Sequence, residues 1–364
     1  MADKTRIHVK LGARSYAVMV TDSYDQLPSW LSALALPRQG WIVSHQAVLA
    51  RHGRALMDPL TRAGWSLDVI TIPAAETSKS LAIAEQIMRR LARKDTMQPA
   101  WLLAFGGGVV GDVAGFVASV YRRGIPYVQI PTTLLAQVDS ALGGKVAVDL
   151  PYGKNLVGAF YQPRLVCNNV SVLQTLPMRQ RRSGLAEIIK YGVIADRAFF
   201  ALLRRRMAAC LRLEPHILRR IIHRSCAIKA RVVSADERET GQLRASLNFG
   251  HTIGHALETA TRYRRWTHGE AIAIGMCAAA RLGVEVGCCR EAVWRHVEAV
   301  VLSAGLPIRA TQVSRTLVRQ ALRRDKKFIH GRPRWVLPKE IGRVIVTEDV
   351  PERAVDRVLD HYVQ

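Results

Sequence analysis

Acid is what this 364-residue chain is short of: 29 Asp and Glu stand against 53 Lys and Arg, leaving a net charge of +24. Such a surface draws polyanions, whether nucleic acid, membrane or phosphorylated metabolites. Long apolar runs are missing as well. No stretch of about 18 uncharged apolar residues occurs, and the apolar segment at 101–120 is broken by Asp112. That excludes a helical membrane span, and MADKTR at the start has no apolar signal core, so the expectation is a cytoplasmic protein. CxxC pairs are absent too. Cys167, Cys210, Cys226, Cys277, Cys288 and Cys289 show no framework spacing and read as reduced thiols. There is no internal repeat, no low-complexity segment and no recognisable nucleic-acid-binding motif. The arginine clusters, such as Arg204-Arg205-Arg206 and Arg219-Arg220, alternate with Leu202, Leu203, Met207, Ile221 and Ile222 at helical spacing. They read as solvated faces of amphipathic helices rather than a nucleic-acid arm.

What is present is a hydrophobic content of 49%, enough for two domains with a sizeable core. Residues 6–20 alternate around Gly12 and predict a β-hairpin. Strands at Trp41–Val43, Leu67–Ile72, Trp101–Phe105 and Tyr127–Ile130 then alternate with helices over 47–64, 79–94 and 109–120. That order predicts βαβ units and a mostly parallel, Rossmann-like sheet. Beyond Pro177 the pattern is helical to about 325, followed by a brief extended segment at Arg334–Leu337 and Arg343–Val346 and a last helix from Pro351. The fold class expected is an α/β domain over 1–175 joined to a helical domain over 176–364.

The strand at 101–105 runs into Gly106-Gly107-Gly108-Val109-Val110-Gly111-Asp112. Glycines between a strand and a helix let phosphate oxygens approach backbone N–H groups, although a tight turn with close packing reads the same way. Asp112 fits either a helix cap or a partner for a ribose or substrate hydroxyl. The next strand ends in Pro131-Thr132-Thr133, again at the edge where open α/β sheets bind ligands. Lys145 and Lys154 each follow glycine in a chain that prefers arginine, and a compact ammonium suits phosphate or carboxylate oxygens in a cramped site. Lys190, Lys229, Lys326 and Lys327 stand out for the same reason.

Residues 244–270 carry a histidine cluster. His251 and His255 lie four apart on an apolar helical pattern, on one face, and His268 follows before a second helix. Converging imidazoles suit a zinc-like ion, though helix-surface histidines fit the spacing equally. Glu187, in the apolar run Gly184-Leu185-Ala186-Glu187-Ile188-Ile189-Lys190, supplies a carboxylate candidate to join His251 and His268. A helical ion pair with Lys190 is the alternative.

Together the stretches GGGVVGD, YRRGIPYVQIPTTLLAQVDSALGGK, GKNLVGAFYQP, SGLAEIIKYG, LNFGHTIGHALE, HGEAIAIGM and RRDKKFIHG resemble the 3-dehydroquinate synthase family of sugar phosphate cyclases, across about residues 73–340. The resemblance implies an NAD-binding α/β domain, a helical domain carrying one divalent metal, zinc or cobalt, and an active site in the cleft between them. It implies metal ligands Glu187, His251 and His268, with His255 at the substrate phosphate instead. Asp139, Lys145, Lys154, Asn155, Lys190, Lys229, Arg244, Asn248, His255 and the Lys326-Lys327 pair would serve the sugar phosphate. Glu76, Lys79, Gly107, Gly108, Asp112, Thr132 and Thr133 would contact NAD. Arg123 would reach a neighbouring subunit's site, implying a homodimer. The chain departs from the family pattern at Ala75, at Ser44-His45-Gln46, at an extra Gln242, and by one residue before His268. A related cyclase with another substrate and an NAD- and metal-dependent polyol dehydrogenase are the competing enzymes. A basic nucleic-acid-binding protein is the competing class.

Overall fold

A computed structural model describes residues 5–94, 100–325 and 333–364. Lys326 and Lys327 lie outside the described residues. By its internal contacts the chain divides into two units: Met1–Leu176 with Leu218–Ser234, and Pro177–Ile217 with Ala235–Gln364. The sequence reading placed one boundary near 175 and kept 218–234 with the helical half.

In the first unit β1 (Arg6–Val9) and β2 (Tyr16–Thr21) form the expected antiparallel hairpin. After α1 (Leu27–Ala33), which the sequence reading lacked, come β3 (Gln39–His45), α2 (Gln46–Arg62) and β4 (Ser66–Ile72). Then follow α3 (Leu81–Arg93), β5 (Leu102–Gly106), α4 (Gly108–Val120) and β6 (Tyr127–Pro131). A second hairpin, β7 (Lys145–Leu150) with β8 (Gly153–Phe160), and β9 (Leu165–Asn169) complete it. The seven-stranded sheet has the order β1-β2-β9-β6-β5-β3-β4, parallel at every pairing except β1–β2.

The central strands β5, β6 and β9 are buried along their whole length. Their apolar residues run on without strict alternation, as a sheet covered on both faces requires. Ser80 caps α3 by accepting from the Ile83 amide at 3.4 Å. Ala84, Ile87 and Leu91 then meet Val43, Ile70, Leu102, Val113, Val117 and Val146 in one core. Strand order reverses between β3 and β5, so the carboxyl ends of these strands form the crevice where such sheets take ligands.

The second unit contains α5 (Met178–Ala195), α6 (Arg197–Leu211), α8 (Gln242–Ala245), α9 (His251–Ala260), α10 (His268–Glu285), α11 (Glu291–Ser303) and α12 (Arg315–Asp325). Helix α7 (Pro215–Ala235) carries the segment assigned to the first unit. A two-stranded ribbon, β10 (Trp335–Glu340) with β11 (Arg343–Thr347), and α13 (Glu352–Tyr362) close the chain. Helix α10 is the core of this unit, with thirteen of its eighteen residues buried. A helix apolar on all sides needs neighbours on all sides, and α5, α9, α11, α13 and β10 supply them.

Two of those contacts are backbone to backbone. A Cβ on Gly275 would stand 1.9 Å from the Gly250 carbonyl oxygen, and one on Gly269 would stand 2.1 Å from that of Ser183. Only glycine fits at either place, and the result is that α9 and α5 both press directly on α10. Among the described residues no helix is long and apolar enough to cross a membrane.

Candidate active site and metal centre

In the first unit the glycine run makes the turn from β5 into α4. Gly107 is the N-cap and has no side chain to satisfy the first-turn amides. A Cβ there would lie 3.1 Å from the Thr133 methyl, and one on Gly108 would lie 3.2 Å from the Ser140 hydroxyl. Bare backbone amides thus sit at the positive end of a helix, beside Thr132 and Thr133 at the end of β6. That arrangement fits a dinucleotide pyrophosphate.

Beside it the Lys79 ammonium contacts both the Asp112 carboxylate and the Asn155 side-chain oxygen. Lys154 reaches Glu76 at 2.6 Å. The β7–β8 hairpin is what brings these residues in: the Asn155 amide donates to Asp149 at 2.8 Å, and the Asp149 amide to the Lys79 carbonyl at 2.8 Å. Residues expected at the substrate therefore touch residues expected at NAD. Burial raises the Asp112 pKa from its ordinary 3.8 to about 6, against the pull of the Lys79 charge.

A one-turn π-helix at Ala136–Ser140 presents Asp139, whose carboxylate meets the Lys229 ammonium at 2.7 Å. Lys229 also donates to the Asp139 carbonyl at 2.6 Å. A buried polar network fixes this contact. Gln137 donates to the Asn169 carbonyl at 2.8 Å, Asn168 to the Gln137 carbonyl at 3.0 Å, and the Cys226 thiol to that same carbonyl at 3.2 Å. Burial pushes the Cys226 thiol pKa up to about 12, so it serves packing rather than nucleophilic chemistry. Gly143 and Gly144 both have positive φ, +95° and +67°, and turn the chain so that Lys145 is exposed at the start of β7. Arg123 is exposed on the turn after α4, itself left-handed at φ +64°.

In the second unit three helices converge. Glu187 of α5 is fully buried, and neither carboxylate oxygen has a hydrogen bond of good geometry, although the Lys190 ammonium pairs with Oε2. Its Oε1 lies 3.5 Å from His251 Nε2 and 3.4 Å from His268 Nε2. This oxygen and the two imidazole nitrogens lie within 4.8 Å of one another and could hold a metal ion. The His251 ring also contacts His255 edge-on, centroids 5.1 Å apart, so the i, i+4 pair does share a face. His255 lies outside the Glu187 set and belongs to a second one, with Glu258 and His268.

The two imidazoles beside Glu187 respond in opposite directions. Burial drives the His251 pKa well below its ordinary 6.5, helped by Lys190. Burial lowers His268 also, but the Glu187 and Glu258 carboxylates outweigh it and raise the value to about 10. Arg244 is buried and donates through Nη1 to the Glu237 carbonyl, and the Asn248 amide donates to Glu239 at 2.9 Å. Glu239 and Glu258 escaped the sequence reading, as did Gly269 and Gly275. The signal for Glu258 was present, seven residues after His251 and three after His255 on the same helical face.

Residues 69–183 match the family model described as 3-dehydroquinate synthase N-terminal, and residues 184–328 the one described as 3-dehydroquinate synthase C-terminal. The chain is 46% identical over 344 residues to the 3-dehydroquinate synthase of Pelotomaculum thermopropionicum, covering 93% of this chain and 92% of that one. It belongs to the 3-dehydroquinate synthase family. The enzyme of the same name from Desulforamulus reducens is 42% identical, over 97% of this chain and 99% of its own. Among solved structures, 2-epi-5-epi-valiolone synthase from Streptomyces hygroscopicus subsp. jinggangensis, with NAD+ and Zn2+ bound, superposes with a TM-score of 0.87. Its identity to this chain is 29%, and the match covers 95% of this chain and 96% of that one.

Proposed function

We propose that this protein converts 3-deoxy-D-arabino-heptulosonate 7-phosphate to 3-dehydroquinate and phosphate, with NAD and one divalent metal, zinc or cobalt, as cofactors. The observation that carries the metal assignment is the buried Glu187 carboxylate, without well-formed hydrogen bonds, facing two imidazole nitrogens. Glu187, His251 and His268 hold the ion, which when bound supplies Lewis acidity to a substrate hydroxyl and lowers its pKa. Gly107, Gly108, Thr132, Thr133, Glu76, Lys79 and Asp112 hold NAD, which supplies a hydride acceptor regenerated within the turnover.

The chain's own residues do the positioning. Asp139, held by Lys229, accepts a hydrogen bond from the hydroxyl system that is oxidised. Lys145, Asn155, Asn248 and His255 take the phosphate, together with Lys326 or Lys327, and Lys154 lines the substrate site. Lys229 and Arg244 take the carboxylate, the arginine through two parallel N–H donors. Lys190 neutralises part of the Glu187 charge. Fixing a flexible sugar acid at both anionic ends brings its reacting atoms into range, which accounts for much of the acceleration. The protein acts as a cytoplasmic homodimer with Arg123 presented to the neighbouring subunit, and its division near residue 175 separates cofactor from metal duties.

Incubation with the heptulosonate phosphate, NAD and zinc is the test, with phosphate release and cyclic product as readouts. Stoichiometric phosphate and product without net NADH is the expected result. Accumulating NADH without phosphate release means a polyol dehydrogenase. Turnover of a sugar phosphate lacking the carboxylate, in preference to this one, means a sibling cyclase.

A further inference from the structure

His268 has two ring nitrogens, and the structure occupies both. Nε2 faces Glu187 Oε1 at 3.4 Å, while Nδ1 faces Glu258 Oε2, also at 3.4 Å. Glu258 sits on α9, is only 6% exposed, and its backbone carbonyl is tied down by the Tyr263 amide at 2.8 Å. Its carboxylate also belongs to a cluster with His255 and His268 whose donor atoms lie within 4.8 Å of one another. Two donor sets therefore share one imidazole, and a neutral imidazole offers one lone pair and one N–H.

Charge decides between them. If an ion sat on the His255, Glu258 and His268 set, the fully buried Glu187 would have the Lys190 charge and the His268 Nε2–H, but no cation between its Oε1 and the His251 nitrogen 3.5 Å away. That is a costly state for a carboxylate. If the ion sits on the Glu187 set, Nε2 gives its lone pair there and Nδ1–H is left to donate to Glu258. The fully buried carboxylate then faces the cation together with both imidazole nitrogens, and Glu258 accepts an N–H. We propose that Glu258 is a positioning residue, which accepts the Nδ1–H of His268 and so fixes the tautomer and ring plane that aim Nε2 at the metal. A carboxylate behind a metal-bound histidine raises the basicity of the ligand and restricts its rotation. The proposal rests on the metal-centre reading above and adds to it a residue that makes no contact with the ion.

The test is zinc affinity of the full-length protein by competition with a chromogenic chelator, supported by the visible spectrum of the cobalt form. Variants are Glu258→Gln, Glu258→Ala, His255→Ala and Glu187→Ala, each checked for folding by circular dichroism. Glu258→Ala should still bind one zinc per chain, weakened about 10- to 100-fold, with a shifted cobalt spectrum. Glu258→Gln, whose amide oxygen still accepts from Nδ1–H, should recover part of that loss. His255→Ala should keep zinc, and Glu187→Ala should lose it. Unchanged affinity and spectrum in both Glu258 variants would overturn the positioning role while leaving the metal centre intact. Loss of zinc in Glu258→Ala and His255→Ala, with zinc kept in Glu187→Ala, would sink both readings.

Discussion

Glu187 and Lys190 pair with each other in the middle of an apolar helix. Breaking such a buried pair from one side leaves the other charge stranded, at about 3–5 kcal/mol. Glu187→Gln should therefore lose zinc and also unfold at lower denaturant, whereas Glu187→Gln combined with Lys190→Met should regain stability but not zinc. Denaturant midpoints measured with and without metal separate the two effects; a double variant no more stable than the single one would argue against a stranded lysine. Asp112 offers a pH experiment. Its pKa is about 6 in the folded chain against 3.8 ordinarily, so between those values the folded state holds the extra proton. Stability from this group is thus highest near pH 4 and falls as pH rises through 6. Relative to Asp112→Asn, the unmodified protein should look more stable at pH 4.5 than at pH 7, by urea unfolding at both. The opposite sign would mean that Lys79 dominates the site.

At the level of elements, glycine separates places where helices touch from places where they do not. Gly275→Ala puts a methyl 1.9 Å from the Gly250 oxygen. It should cost at least the 1–3 kcal/mol of an overpacked core and weaken zinc binding, since α9 and α10 carry two of the three donors. Gly53→Ala, inside α2 with its nearest neighbour at 3.7 Å, should instead gain up to about 1 kcal/mol from helix propensity. Thermal melts of both variants test the contrast.

The same elements show what the sequence can disclose. The strands that alternate with helices, and the histidines at helical spacing, were readable because periodicity survives in the letters. Strand β9, Leu-Val-Cys-Asn-Asn, was not, because it is buried on both faces and ends in two asparagines engaged by Gln137 and Ser171. The β7–β8 hairpin was hidden under its own glycines and lysines, which drew a reading as ligand-binding motifs alone. The spacing puts Glu258 on the face of His251 and His255, but its approach to His268, on another helix, needs coordinates. Glu187 could be picked out as a charge among apolar neighbours, yet the approach of its Oε1 to two imidazoles needed coordinates.

For the whole molecule the +24 charge outlasts its ion pairs. Pairs such as Arg89–Glu85, Lys94–Asp68 and Arg295–Glu291 are exposed on both sides and contribute at most about 1 kcal/mol each. The unpaired excess repels itself, and salt screens that repulsion within about 8 Å at 0.15 M. Melting temperature should rise as sodium chloride is raised from about 0.01 to 0.15 M, and a fall would show that the ion pairs outweigh the repulsion. Arg204, Arg205 and Arg206 are all exposed on α6, so DNA binding should be weak and indifferent to sequence at the higher salt.

The assignment of 218–234 to the first unit also has a temporal side. A nascent chain that has emerged as far as Leu176 has every strand of the large sheet but neither Cys226 nor Lys229. The Cys226 thiol and the Lys229 ammonium, which complete the contacts of the Gln137 carbonyl and the Asp139 carboxylate, are then still to come. The sheet domain must consequently linger half-finished while α5 and α6 are made, and this is the interval in which a chaperone has most to protect.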